Sequence, residues 1–64
     1  MITSQNARDY RKVARSAKER NILLWLANGY TLAGIAHNFG RGSNPASIER
    51  QLAAIERRAA KAQA

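Results

Sequence analysis

Gly29-Tyr30-Thr31-Leu32-Ala33-Gly34-Ile35-Ala36-His37-Asn38-Phe39-Gly40 runs into Arg41-Gly42-Ser43-Asn44-Pro45 and then into an arginine-bearing run of helix-forming residues. The stretch reads as a short helix, a turn and a longer helix. Thr31 offers a side-chain oxygen to an orphan backbone N–H and so predicts a helix over 32–38, which Gly40 stops. Asn44-Pro45 is the clearest helix start in the chain. Asn caps, and Pro takes the first helical position, where it has no hydrogen bond to lose. The last helix is expected over 45–60, with 59–64 as a frayed tail. Gly34 in the short helix costs about 1 kcal/mol relative to Ala, a cost tolerated where a neighbouring helix must approach closely.

Upstream, Ser16-Ala17-Lys18-Glu19 is a capping box ahead of the apolar run Ile22-Leu23-Leu24-Trp25-Leu26-Ala27, which predicts a helix over 17–28. Asn28-Gly29 ends it, because glycine enters the left-handed conformation at little cost. Asn6, with Asp9 three residues later, opens a first helical segment over 7–15. Whether the chain breaks at Ser16 or continues as one long helix is open at this level, since serine is tolerated inside helices. Alternating apolar and polar stretches are missing, and Val13 is the sole valine. The class is therefore all-α: one small domain of three to four helices, with a basic helical region at 7–28 and a helix, turn and helix at 31–58.

Sixty-four residues bury a small share of their surface, and with no cysteine no disulfide compensates. Oligomerisation is the remaining common source of stability, so a homodimer is expected. The lack of cysteine fits a reducing cytoplasm, and with a single histidine, His37, no metal site is expected. Eleven Lys and Arg against four Asp and Glu give a net charge of +7, which draws the chain to polyanions. The apolar run is too short to span a membrane, and the polar N-terminus suggests no signal peptide, so a cytoplasmic protein is expected.

On the last helix Ile48, Leu52, Ile55 and Ala59 form one apolar stripe. At about 100° per residue the opposite side holds Ala46, Arg50, Ala53 and Arg57, flanked by Ser47, Ala54 and Lys61. Leu32, Ile35, Ala36 and Phe39 supply the inner face of the short helix. Leu23 and Leu26, with Ile22 or Ala27, complete a three-helix core. The run 22–27 is apolar all round, and Trp25 is the surplus. It packs under the N-terminal segment against Tyr10, Val13 or Ala17, or it forms a dimer seam with Ile22 and Leu26.

Gly29-Tyr30-Thr31, Ile35-Ala36, Phe39-Gly40, Ser47-Ile48 and Arg50-Gln51-Leu52 together resemble the helix-turn-helix of LuxR-type regulators, sigma-factor region four and the resolvase-invertase DNA-binding domain. The resemblance covers about residues 22–55. It makes Ala36 the small residue at the helix crossing, Gly40 the turn glycine and Ile48 the apolar anchor of the recognition helix. Two departures stand out. From Phe39 to Ile48 the chain carries about two residues more than the usual turn, and Gly34 occupies the position that usually holds Glu or Gln. In size and charge the chain is similar to small regulators of phages and mobile elements.

The resemblance implies a transcription regulator, a repressor that binds a pseudo-palindromic operator in double-stranded DNA as a homodimer. The recognition helix would lie in the major groove. Arg50 is the first candidate for a base contact, because guanidinium pairs bidentately with guanine O6 and N7. Asn44, Ser47, Gln51 and Ala46 join it, with Ala53 a further candidate for a thymine methyl. Phosphate contacts are expected from Arg8, Arg11, Lys12, Arg15, Lys18, Arg41, Ser43, Arg57 and Arg58, with Arg20 and Lys61 beside them. No cofactor is expected. No nucleophile–base set is present, so no enzyme is expected. Two other readings compete: a helical module that binds or inhibits a host protein, and a non-specific nucleic-acid binder.

Overall fold

The computed structural model describes residues 1–63. The order is a 3-10 helix (Ala7–Val13), then α1 (Ala17–Ala27), α2 (Leu32–Phe39) and α3 (Pro45–Gln63), with no strand among the described residues. The all-α class stands. The chain breaks before Ser16, and α3 continues through the segment expected to fray, as far as Gln63. Ala64, also placed in that tail, lies outside the described residues.

The first segment is a 3-10 helix and not the α-helix expected over 7–15. Its apolar residues, Ala7, Tyr10 and Val13, recur every third position, which fits three residues per turn. Ala7 is fully buried, and Tyr10 and Val13 pack against the core. Asn6 does not cap this helix. Its Oδ1 accepts from Thr3 N at 2.7 Å and its Nδ2 donates to the Met1 carbonyl at 3.0 Å, which folds the first residues back and buries Ile2.

Ser16 starts α1 by accepting from Glu19 N at 3.2 Å. Glu19 answers one residue further out than a capping box requires, taking Arg15 N on Oε1 at 2.8 Å. Its Oε2 is held by Arg58 from α3 at 2.6 Å, and the same guanidinium donates to the Val13 carbonyl at 2.6 Å. One side chain thus ties the end of the 3-10 helix, the start of α1 and the outer half of α3. Arg58 and Glu19 are 19% and 18% exposed, so water screens this pair less than it would a surface salt bridge. The Arg58 hydrogen bond holds the Glu19 carboxyl below its ordinary value, against the opposing effect of burial.

α1 ends in a Schellman motif: Tyr30 N donates to Trp25 O at 3.0 Å, Gly29 N donates to Leu26 O at 3.0 Å, and Gly29 takes φ +95°. The motif carries a hydrophobic contact between the residues at its ends. Here that contact is Tyr30 on Trp25, with ring centroids 6.2 Å apart. Trp25 also meets Phe39 at 5.0 Å. The tryptophan therefore packs against Tyr30, just before α2, and Phe39 at its end. Gly34 is explained locally too. A Cβ there would lie 3.3 Å from Thr31 Oγ1 and 3.7 Å from the Tyr30 ring, so glycine leaves room for the cap and the ring, not for a crossing helix.

Ile22, Leu23, Ile35, Ile48 and Ile55 are fully buried at the centre of one core, with Leu26, Ala36 and Leu52 around them. The 3-10 helix and α2 each pack on both α1 and α3. The start of α1 meets the outer half of α3 directly through Glu19 and Arg58. Ile22 and Leu26, expected as dimer-seam residues, are buried in the core of the single chain, Ile22 fully and Leu26 with 9% of its surface left.

Two outcomes follow for stability. Ile55→Ala removes a fully buried side chain and lowers unfolding free energy by about 2–5 kcal/mol, most of what so small a core supplies, as read from urea unfolding. The Glu19 carboxyl is lowered in the folded state, so its contribution is complete above the ordinary carboxylate range. It is lost as pH falls through the lowered value. Acid titration of thermal unfolding should show Glu19→Gln flattening that loss, and an unchanged acid limb would remove the pair from the account.

Candidate nucleic-acid interface

The connection between α2 and α3 is built for a sharp change of direction. Gly40 (φ +84°) and Gly42 (φ +85°) hold left-handed conformations, and Ser43 N closes a turn on Gly40 O at 3.3 Å. Asn44 then caps α3, its Oδ1 accepting from Ser47 N at 2.8 Å. The cap sets the start of α3 and uses the Asn44 acceptor that a base contact would need. Asn44 itself is exposed.

With Ile48, Leu52 and Ile55 turned into the core, Ala46, Arg50, Ala53, Arg57 and Lys61 stand exposed on the far side of α3. Alanine between the cations keeps this strip low and lets the backbone come close to a ligand. None of the three cations is paired with a carboxylate among the described residues. Two of the four acids are used elsewhere. Glu19 is held by Arg58, and Glu56 meets the Met1 amino group at 3.0 Å. Glu49 lies along the edge of α3 beside a shallow apolar groove formed with Ile2, Leu26, Leu32 and Leu52.

Several expected contacts are placed differently. Arg58 is turned inward and is not a free phosphate ligand. Gln51 is half-buried, its Nε2 near the Ser47 carbonyl and hydroxyl at 3.4 Å, so Gln51 and Ser47 flank the strip rather than lead it. Arg41 is exposed in the turn, with Ser43 half-buried beside it. Lys18 sits over the Phe39 ring, its Nζ 5.1 Å from the centroid, at the α1–α2 seam. Arg15 is exposed between the 3-10 helix and α1.

Arg8, Arg11 and Lys12 do not share the single α-helical face that their spacing suggests. In the 3-10 helix Arg8 and Arg11 share one ridge, and Lys12 falls on the next with Asp9. Arg20 from α1 joins them around a shallow depression in which Asp9 is the one carboxylate. Arg20 is the member of this cluster that a helical-spacing argument cannot supply, because it comes from another element.

Among the described residues no three His, Cys, Asp or Glu side chains converge, and no helix is long and apolar enough to cross a membrane. Comparison with protein-family models, curated proteins and solved structures finds no match to this chain.

Asn44→Ala should lower stability by about 1 kcal/mol, and Asn44→Ser by much less. Urea midpoints of the two variants check this. An unchanged midpoint for the alanine variant would mean that Asn44 is not acting as the cap.

Proposed function

We propose that this chain is a small sequence-specific DNA-binding regulator that reads the major groove with the outer face of α3. The observation that carries the reading is the strip of Arg50, Arg57 and Lys61, which is exposed and free of carboxylate partners among the described residues, on a helix whose other face anchors the core. A helix presented this way, preceded by a short helix and a glycine turn, has the form needed to enter a groove about 12 Å wide. Arg50, nearer the N-terminus of α3, is the base-reading residue. Arg57 and Lys61, about two and three turns further along, meet phosphate as the helix leaves the groove.

Repression from a pseudo-palindromic operator is the regulatory form of this reading. It needs two α3 helices about 34 Å apart, related by a two-fold axis. With Ile22 and Leu26 buried in the core, Trp25 and the exposed Tyr30 are the aromatic surface on which two copies would meet. A protein of this kind works in the compartment that holds DNA, in bacteria the cytoplasm.

A second reading, a module that binds another protein, is favoured by the apolar groove that Ile2, Leu26 and Leu32 form against α3, bordered by Glu49 and Glu56. The two readings separate in one experiment. Duplexes selected from a random pool are titrated with protein by fluorescence anisotropy at several salt concentrations. Arg50→Ala should weaken the selected site about 5–150-fold while leaving bulk DNA nearly unchanged. Arg57→Ala should weaken all duplexes and reduce the salt slope by about one. If no sequence is enriched and Arg50→Ala changes nothing, α3 is not a reading helix.

A further inference from the structure

We infer that the apolar groove along α3 is a docking site for a partner helix that carries two cations seven residues apart with apolar residues between them, and that this partner and DNA exclude each other. The exclusion rests on the proposal that α3 enters the major groove; the docking stands without it.

Charge decides what fits. Leu52 and Ala53 of α3 form one side of the groove, and Ile2, Leu26 and Leu32 form the other. Glu49 and Glu56 stand at its border, and no Lys or Arg side chain lines it among the described residues. In a chain of net charge +7, two of the four acids are thus gathered on one apolar surface. The other two are occupied. Asp9 lies among basic side chains of the 3-10 helix and α1, and Glu19 is bonded to Arg58. Glu49 makes no ion pair among the described residues. Glu56 has already drawn a cation, the exposed Met1 amino group at 3.0 Å. A pair so open to water contributes little, so a partner's guanidinium can replace the amino group with little loss. A nucleic acid is repelled from this border, and a basic apolar segment is attracted to it.

Spacing decides the form of the partner. Glu49 and Glu56 are two turns apart on one face of α3, about 10.5 Å along its axis. Leu52 and Ala53 lie between them, three and four residues on from Glu49. A helix laid along α3 meets both carboxylates with Lys or Arg at its positions i and i+7. Its residues i+3 and i+4 then fall over Leu52, Ala53 and the half-buried Leu32. That is the anchor pattern of an amphipathic helix held in a groove.

The same placement sets the partner against DNA. Glu49 immediately precedes Arg50, and the exposed Ala53 belongs both to the groove and to the outer strip of α3. A helix with its side chains is about 10–12 Å across, and a major groove is about 12 Å wide. With a second helix lying on Glu49 and Ala53, α3 is too broad to enter. Occupation of the groove therefore switches DNA binding off.

Three fluorescent helical peptides of equal length serve as probes. The first has Arg at i and i+7 and Leu at i+3 and i+4. The second replaces both Leu by Ser, and the third replaces both Arg by Glu. Anisotropy gives their affinities for the protein without DNA. The first should bind best, and Glu49→Gln with Glu56→Gln should weaken it about fivefold. Glu49→Lys with Glu56→Lys should turn the preference toward the third peptide, with helicity checked by circular dichroism. Unlabelled first peptide should then release a labelled duplex carrying the selected site. The Ser peptide, equal in charge and so in attraction to the duplex itself, should not.

No binding of the first peptide overturns the docking. Equal binding of the first two, or binding unchanged by the glutamine variant, places the contact elsewhere and overturns it as well. Sedimentation of the protein alone checks for self-association; if the glutamine variant abolishes it, a second copy is the occupant and the partner helix is refuted. Peptide binding with the duplex retained overturns the exclusion. If no duplex binds at all, the α3 reading and the exclusion fall together, and the peptide titrations still decide the docking.

Discussion

Arg58 spends its charge inside the protein, and the orientation of α3 depends on that. Its guanidinium bonds the Val13 carbonyl and the Glu19 carboxylate, each at 2.6 Å, which are groups from two different elements. Planar geometry with several fixed donors allows this, and a lysine could not reproduce it. Glu19 is equally occupied. It accepts from Arg15 N at the start of α1 and from Arg58 on its other oxygen. The pair fixes how α3 is rolled about its axis. Arg57, one residue back and about 100° round the helix, is thereby directed to solvent. A half-buried pair is weak evidence for stability and better evidence for a specific arrangement. In a core of about ten residues, arrangement is what hydrophobic burial leaves underdetermined.

The helix starts and stops are legible in the sequence because each rests on a local interaction. Ser16, Thr31 and Asn44 each accept from the backbone N–H three residues on, as the cap rule requires. The stripe Ile48, Leu52, Ile55 is legible from spacing alone. What escapes is set by tertiary contact. Arg58 reads as one more surface cation until its partner is known to lie in another element. Trp25 reads as surplus because its neighbour, Tyr30, is brought over it by the Schellman turn and not by helical spacing. Ile2 gives no signal, since its burial depends on Asn6 folding the first residues back. The three-residue spacing of Ala7, Tyr10 and Val13 is present in the sequence and points to a 3-10 helix, but basic helix formers around it favour the α-helical reading.

Charge is distributed by the shortage of acids. With four Asp and Glu for eleven Lys and Arg, most cations have no possible internal partner. Those acids that pair do so where they stabilise the fold, at Arg58 and at the Met1 amino group. The remaining cations are left exposed, on the outer strip of α3, around the depression beside Asp9, and at Arg15, Lys18 and Arg41. A chain of this size gains nothing in stability from such self-repulsion. On the proposed function, the excess is what attraction to a polyanion requires.

The connection between α2 and α3 decides how far that reading extends. Its length beyond the usual turn is accommodated by two glycines in left-handed conformations, Gly40 and Gly42, with open space where their Cβ atoms would be. Neither glycine is there to avoid a clash. Both are there for backbone direction, which L-residues reach only with strain. The extra residues therefore do not loosen the joint between the helices. They form a turn closed by the Ser43–Gly40 hydrogen bond and ended by the Asn44 cap. The start of α3 is held by backbone geometry at one end of the helix, and Arg58 holds its roll near the other. Together they leave the Arg50–Arg57 strip a fixed direction, which a reading surface requires more than it requires any single contact.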